Sequence, residues 1–376
     1  MCLADELMKA QYSPIAERPR LLNHCPMKPN PQDPDPPLPL SGGEVLDATA
    51  WHAFLQSEMR ATRDVFLTKP RLLLAHVRSE RQTADDYAGR ELLELVQNAA
   101  DAATEVGGSG RVRIEVTPEG LVVANTGHPF RPGGVESLMT PNASDKPGRK
   151  VALIGAKGLG FRSLLNWSQE PVISSGELEI GFSRTHAEAE VAALAGESPA
   201  LAAICESEDE PPVPVLAFPA FGDALEDLHS PAGRALLARA RELRALDYDT
   251  VVAAPFDRDG ALDRAIRQAG EFEPTFLLFV ESIDQIEVQV TDRPLVRWRR
   301  TSLGADTHGL EVEVDGSLTE QTWICLRRRG EISMRGRRKP RNYELAVALR
   351  VDETNRPGFL HSYFPTSIPL PFSALM

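Results

Sequence analysis

The sequence predicts a chain of the α/β (α+β) class, with helices leading into strands and a strand-rich unit at the end. Three observations carry this. Helical apolar spacing runs through "VLDATAWHAFLQSEMRATRDVFL", "RLLLAHVRSER" and "DDYAGRELLELVQNAADAATEV". Period-two alternation follows in "RVRIEVTPEGLVVANTG" and "PVISSGELEIGFSR". Further alternating segments, "PLVRWRRTSL", "GLEVEVDG", "QTWICLRRR" and "ELAVALRV", come after residue 290.

Taken in order, residues 1–45 read as a Pro-rich disordered tail. "CPMKPNPQDPDPPLPLSGG" has too much proline for helix or sheet and too few apolar groups to offset ordering. Pro70 separates the first two helices, and "GGSG" ends the third. "PEG" turns the first strand pair. Residues 131–163 read as a long loop, closing with "IGAKGLGFRSLLNW". "HAEAEVAALAG" and "GRALLARARELRAL" read as helices, and "YDTVVAAPF" as a buried strand. "EPTFLLFVESIDQIEVQV" reads as a short helix followed by a strand. "FPTSIPLPFSALM" is apolar with no obvious closing element, and no internal repeat is present. The expected division is a tail at 1–45, a first domain at 46–260 and a partial, strand-rich second unit at 261–376.

A chain of 376 residues can bury a sizeable core. No apolar run approaches the roughly 20 residues that span a bilayer, and "MCLADELMKAQ" lacks the features of a signal peptide. A cytoplasmic, non-membrane protein is expected. Cys2, Cys25, Cys205 and Cys325 form neither a disulfide framework nor a metal-binding pair. The net charge of −13 argues against bulk attraction to nucleic acid. The segments "RWRR" (297–300), "RRR" (327–329) and "RGRRKPR" (335–341) are locally basic. They read either as solvated strand edges or as a phosphate- or partner-facing surface.

The third helix carries an unusual stripe. At about 100° per residue, Asn98 lies roughly 40° from Glu94, and Asp101 roughly 20° the other way. The three polar groups share one face. It is either a solvated face or the wall of a polar pocket. Three further pieces bear on the choice: a strand ending in Asn125-Thr126-Gly127, the glycine-rich "GAKGLGFRS" (155–163), and Thr250 heading "TVVAAPF".

Each has a use at a nucleotide. Magnesium held mostly by phosphate and water takes one or two protein oxygens, which Asn98 can supply. Glu94, one turn earlier, can orient or deprotonate water, a contribution of about 10²–10⁴-fold. Asn125 can accept from an adenine amine, and Gly127 can let a base approach the backbone. Gly155, Gly158 and Gly160 can converge amides on phosphate, with a helix start behind them at Phe161. Lys157 or Arg162 can add charge. The loop is not a Walker A motif, since no "GK[ST]" closes it.

In this order the pieces resemble the ATP-binding superfamily of gyrase, the ninety-kilodalton heat-shock chaperones, histidine kinases and MutL. "ELVQNAADA", preceded by Tyr87 and Arg90, is most similar to its sacsin-type branch. The resemblance implies a Bergerat-type sandwich, with a mixed, mostly antiparallel sheet and helices on one face. It implies Glu94 as catalytic base, Asn98 as magnesium ligand and Asp101 in support. It places Asn125 and Gly127 at adenine, with Thr250 near them. Gly155, Lys157, Gly158, Leu159, Gly160 and Phe161 fall in the lid hinge and phosphate turn of a lid at about 131–160. The chaperone motif D-x-G-x-G stands here as Asn125-Thr126-Gly127-His128-Pro129. An amide can still accept from adenine, but its NH₂ needs a partner or costs about 1–3 kcal/mol when buried.

The leading expectation is a slow ATPase that uses ATP and Mg²⁺. Lid closure would change its shape, in a chaperone-like or defence-related role, with a second copy or a larger partner protein. The alternatives are a nucleotide-binding scaffold without hydrolysis and a DNA-processing ATPase that uses Arg335, Arg337 and Arg338. A histidine kinase would need a phospho-accepting His, and His76 lies too close to the Glu94 helix for that role.

Overall fold

The computed structural model describes residues 46–140, 160–222, 224–227, 230–333, 341–351, 358–362, 364–370 and 375–376. All belong to the unit Ser41–Met376. The expected tail, most of the expected lid and the basic run 334–340 lie outside the described residues.

Helices α1 (Ala48–Thr68), α2 (Arg71–Asp86) and α3 (Glu91–Glu105) come first. Asp47 caps α1, accepting from Ala50 N at 2.8 Å. The stretch read as one long helix from Asp85 breaks at Gly89, which has φ +85°. Such backbone suits glycine and cannot continue a helix. A hairpin follows, β1 (Gly110–Val116) and β2 (Gly120–Asn125). The expected loop 131–163 is in part helical. It holds α4 (Pro132–Met139), with Pro132 in the first turn where a missing N–H costs nothing, and a 3-10 helix at Gly160–Asn166.

Next come β3 (Val172–Ser175), β4 (Leu178–Gly181), α5 (Arg184–Glu197), α6 (Pro199–Ser207), β5 (Ala220–Phe221), α7 (Ala224–Asp227) and α8 (Pro231–Arg244). Then follow β6 (Thr250–Pro255), α9 (Ala261–Glu271), α10 (Phe276–Phe279), β7 (Ile283–Val290), β8 (Val296–Ser302) and β9 (Thr307–Val314). The last elements are β10 (Ser317–Ile332), β11 (Arg341–Arg350), β12 (Gly358–Ser362) and β13 (Phe364–Leu370). The apolar stretch from Phe364 pairs with the strand before it, β13 on β12, and Leu375 bridges Ala348 and Phe359.

Eleven strands form one sheet in the order β11-β10-β9-β8-β7-β1-β2-β6-β3-β4-β5. The pair β1–β7 is parallel and the other pairings of this sheet are antiparallel. This is a mixed α+β fold with a large mixed sheet, compatible with the Bergerat type.

On one face Val123, Val252 and Ile173 join the main core with Leu95, Val96 and Ala99 of α3 and Ala265 of α9. The fold has an addition on the other face. There Val122, Ala124, Val251, Ala253 and Val172 pack on Leu236, Leu237, Ala240 and Leu243 of α8. The cause is visible in "VVAAP": an unbroken apolar run in a strand must be covered on both sides.

Candidate functional site

The site lies where α3 crosses the ends of β2, β6 and β3. The register places Asn125 opposite Thr250, and Thr250 opposite Ser175, so three small polar side chains form one row across three strands. They point to the face that α3 covers, because side chains alternate along each strand. Facing them are Asn98, half-buried, and Asp101, 5% exposed. The cavity between measures about 150 Å³. Asn98, Asp101, Asn125, Phe161 and Thr250 line it, with apolar walls that include Leu95, Val123, Phe130, Leu138 and Val252. Four sequence segments far apart in the chain thus meet at one hollow.

Hydrogen bonds fix its polar end. Thr250 Oγ1 and Ser175 Oγ lie 2.6 Å apart, and Ser175 Oγ accepts from Phe130 N at 2.9 Å. Asn125 Nδ2 donates to Thr126 O at 3.3 Å, which gives the buried NH₂ a partner. Asp249 holds the turn after β2. Its Oδ2 accepts from Gly127 N at 2.9 Å, and its N donates to Asn125 O at 2.9 Å. The sequence reading passed over Asp249 and Ser175, although an acid directly before Thr250 is legible in "YDT".

Glu94, Gly127 and Gly160 do not line the cavity. Gly127 has φ +143°, and a Cβ there would sit 2.6 Å from the Ala102 carbonyl carbon. Its lack of a side chain lets the strand exit press on α3, where His128 N donates to Ala102 O at 2.9 Å. What Gly127 approaches is helix backbone. Glu94 is buried, and its Oε1 lies 3.2 Å from Arg90 Nη2. Gly160 closes over Glu94, since a Cβ on Gly160 would meet Glu94 Oε2 at 2.6 Å. Gly155, Lys157, Gly158 and Leu159 lie outside the described residues.

At the mouth, Arg131 Nη1 pairs with Glu105 Oε2 at 2.6 Å. Among the described lining residues Arg131 is the one guanidinium. Behind the wall, Arg162 is buried, and its Nη2 donates to the carbonyls of Ser137 and Leu138 at 3.0 Å each. It thereby ties the last turn of α4 to the helix that carries Phe161. Burial lowers the Arg162 pKa, while the nearby Glu80 carboxyl works against that shift. Among the described residues no group of three acidic, His or Cys side chains is placed to hold a metal. None of their helices is long and apolar enough to cross a membrane.

None of the family models or curated proteins compared with the chain matches it. Among solved structures, it is similar to the ATPase and transducer domains of DNA topoisomerase II from Balamuthia mandrillaris, at 12% identity and a TM-score of 0.29. The match covers 57% of this chain and 56% of that one, so the chain spans little more than half of that relative. A likeness at this level carries no argument about the site.

Proposed function

We propose that the cavity binds ATP and that the protein is a slow Mg²⁺-dependent ATPase of the sacsin-type branch. One observation supports this above the others: Asn125 and Thr250, in one row with Ser175, line an apolar-walled hollow together with Asn98 and Asp101. Such walls suit a purine face, and a few convergent polar groups suit its edges. With Nδ2 bonded to Thr126 O, the Asn125 Oδ1 is the atom that accepts the adenine amine. Asn98 contributes one amide oxygen toward Mg²⁺. That fits an ion carried mainly by phosphate and water, and fits the absence of a carboxylate cage among the described residues. When bound, the ion offsets phosphate charge. Phosphate contacts fall in this reading to the segment 155–160 and to Arg131. Glu94 takes the proton of the attacking water. Gly160 packs against its carboxylate. Cytoplasmic location, pairing with a second copy and a chaperone-like or defence role belong to the same proposal.

A second reading is a nucleotide-binding scaffold. The Arg90–Glu94 ion pair and the position of Glu94 outside the cavity lining favour it. A DNA-processing role would rest on Arg335, Arg337 and Arg338, which lie outside the described residues, and the described arginines of the late strands add little to it. Arg297, Arg299, Arg300, Arg327 and Arg329 all sit in ion pairs with neighbouring acids.

ATP binding and phosphate release by the full chain separate these readings. Asn98→Ala and Asn125→Ala should weaken ATP binding by about tenfold or more. Glu94→Ala should bind ATP and lose about 10²-fold or more in turnover. Wild-type binding without phosphate release selects the scaffold. No nucleotide binding by the wild type ends both readings.

A further inference from the structure

The run "RRR" (327–329) is divided by its own strand. Side chains alternate along β10, so Arg327 and Arg329 share one face and Arg328 takes the other. Arg327 and Arg329 each pair with Glu281 and Glu344. Arg328 is exposed and makes no ion pair among the described residues.

The face that Arg328 shares is otherwise apolar. Ile324, Leu326 and Ile332 lie on it along β10, and the register sets Tyr343, Leu345 and Leu349 beside them on β11. These side chains are between 37% and 52% exposed. The opposite face of the same two strands carries Trp323, Cys325 and Ala348, all buried. The pair is therefore apolar on both faces, with one face covered and one bare. Strand β9 accompanies β10 only as far as Ile324, so beyond it β10 and β11 run on as two strands. Two strands are marginal without a packed face. The bare surface amounts to roughly several hundred Å², the scale of the largest apolar patches on monomers, and approaches the 800 Å² or so that a stable dimer buries per partner.

Charge selects the occupant. Glu320 stands on the same face of β10, exposed and without an ion pair among the described residues. Its cross-strand neighbour is Glu311, a like charge that does not settle it. Glu320 lies four residues before Ile324, and Arg328 four residues after it. A lone acid and a lone base thus flank the apolar middle of one strand at equal distances. A two-fold axis through Ile324 exchanges them: in a second copy running antiparallel, each Glu320 meets the other copy's Arg328. The same operation sets Leu318, 55% exposed, over Gly330 and the Tyr343 ring that lies against that glycine. Sheets stack about 10 Å apart with strands within about 30° of each other. A Glu and an Arg side chain together span that gap.

We propose that a second copy of this chain packs on the outer face of β10 and β11, forming a two-fold β-sandwich centred on Ile324. The contact buries Leu326, Leu345 and Leu349 and closes two Glu320–Arg328 pairs between the copies. This goes beyond the pairing named with the ATPase reading, since it assigns the surface and needs no nucleotide.

The test is sedimentation velocity on the full chain without nucleotide, over a wide range of concentration. A monomer–dimer equilibrium is expected. Leu326→Asp should weaken it by about 10²-fold or more, by setting a carboxylate in the apolar contact. Arg328→Glu and Glu320→Arg should each weaken it by about tenfold or more, because each brings like charges together twice. The double variant Glu320→Arg, Arg328→Glu should recover the wild-type constant to within severalfold, a recovery that misfolding cannot produce. The proposal is overturned by a wild type that stays monomeric at the highest concentration, by a dimer that Leu326→Asp leaves unchanged, or by charge variants that the exchange does not rescue. A dimer that forms only with ATP overturns it too, and leaves the ATPase reading standing.

Discussion

One row of side chains, read across the outer face of the sheet, passes through two kinds of protein. From β9 to β1 it reads Glu313, Arg297, Glu287, Arg113. From β2 to β3 the same row reads Ala124, Val251, Ser174. In the first stretch the charges alternate and close on one another at 2.7 to 2.8 Å. In the second stretch the row is buried under α8. Arg239 of α8 stands at the seam, where its Nε and Nη2 reach both oxygens of Glu115 on β1. One half of the sheet meets solvent through paired charge, and the other hides its outer face beneath a helix. The candidate nucleotide cavity belongs to the helix-covered half, where strand ends are held from both faces. That rigidity is what a row such as Asn125–Thr250–Ser175 needs if it is to present fixed polar groups.

The comparison breaks most sharply at Val251, fully buried between β2, β3 and α8. Val251→Glu should destabilise the protein by about 3–5 kcal/mol, because a carboxylate is buried there without a partner. Denaturant unfolding followed by circular dichroism measures it. A loss below about 1 kcal/mol would mean that α8 does not seal this face.

Buried carboxylates repeat the contrast. Burial pushes the Glu115 carboxyl upward, but Arg239 and Arg113 outweigh it and hold the group below its ordinary value. Among the described residues, Glu80 in the helical layer takes its hydrogen bonds from backbone N–H groups. Burial pushes it up to about 7, with the two N–H bonds and Arg162 opposing in part. A carboxyl raised on folding costs nothing below its unfolded value near 4.5, where both states are protonated. Above that value the unfolded chain ionises first, and stability falls as pH rises toward 7. Glu80→Gln should therefore gain about 3 kcal/mol on the wild type between pH 4.5 and pH 7. His76, held by burial near 3, acts in the opposite direction in both chains and cancels in the difference. A difference that does not change with pH would show that Glu80 titrates normally.

How much of this was legible beforehand follows from the same contrast. The polar stripe of α3 could be read because three polar groups fell on one face of an apolar helix, and their partners at Asn125 and Thr250 ended strong strands. The covered outer face could also have been read, from the unbroken apolar run of "VVAAP". Helix α4 was hidden because Gly133 and Gly134 imitate a loop, although the proline before them is an ordinary helix start. Helix α9 was hidden because its buried side includes Ala261, Ala265 and Ala269, too small to stand out as an apolar stripe. The pairing of β1 with β7 joins segments far apart in the chain, and no local pattern encodes it. The basic runs read first as solvated strand edges and second as a phosphate- or partner-facing surface. For the run 297–300 the register sets Arg297 opposite both Glu287 and Glu313.

The smallest effect is expected where the charged half is probed gently. Arg297 and Glu313 face each other on β8 and β9, with side chains 34% and 40% exposed. Exposed pairs are screened by solvent and lose side-chain freedom when they form. A double-mutant cycle over Arg297→Ala and Glu313→Ala should return a coupling of about 0.2–1 kcal/mol that fades with added salt. Glu287 is the more telling neighbour, being buried between Arg113 and Arg297. Its removal leaves two half-buried guanidinium groups, Arg113 with Glu115 and Arg297 with Glu313. A cycle that includes Glu287→Ala should therefore show stronger coupling to Arg297 than Glu313 does, with weaker dependence on salt. Equal couplings would mean that the row acts as a solvated surface throughout, and that burial under α8 is the only feature dividing the two halves.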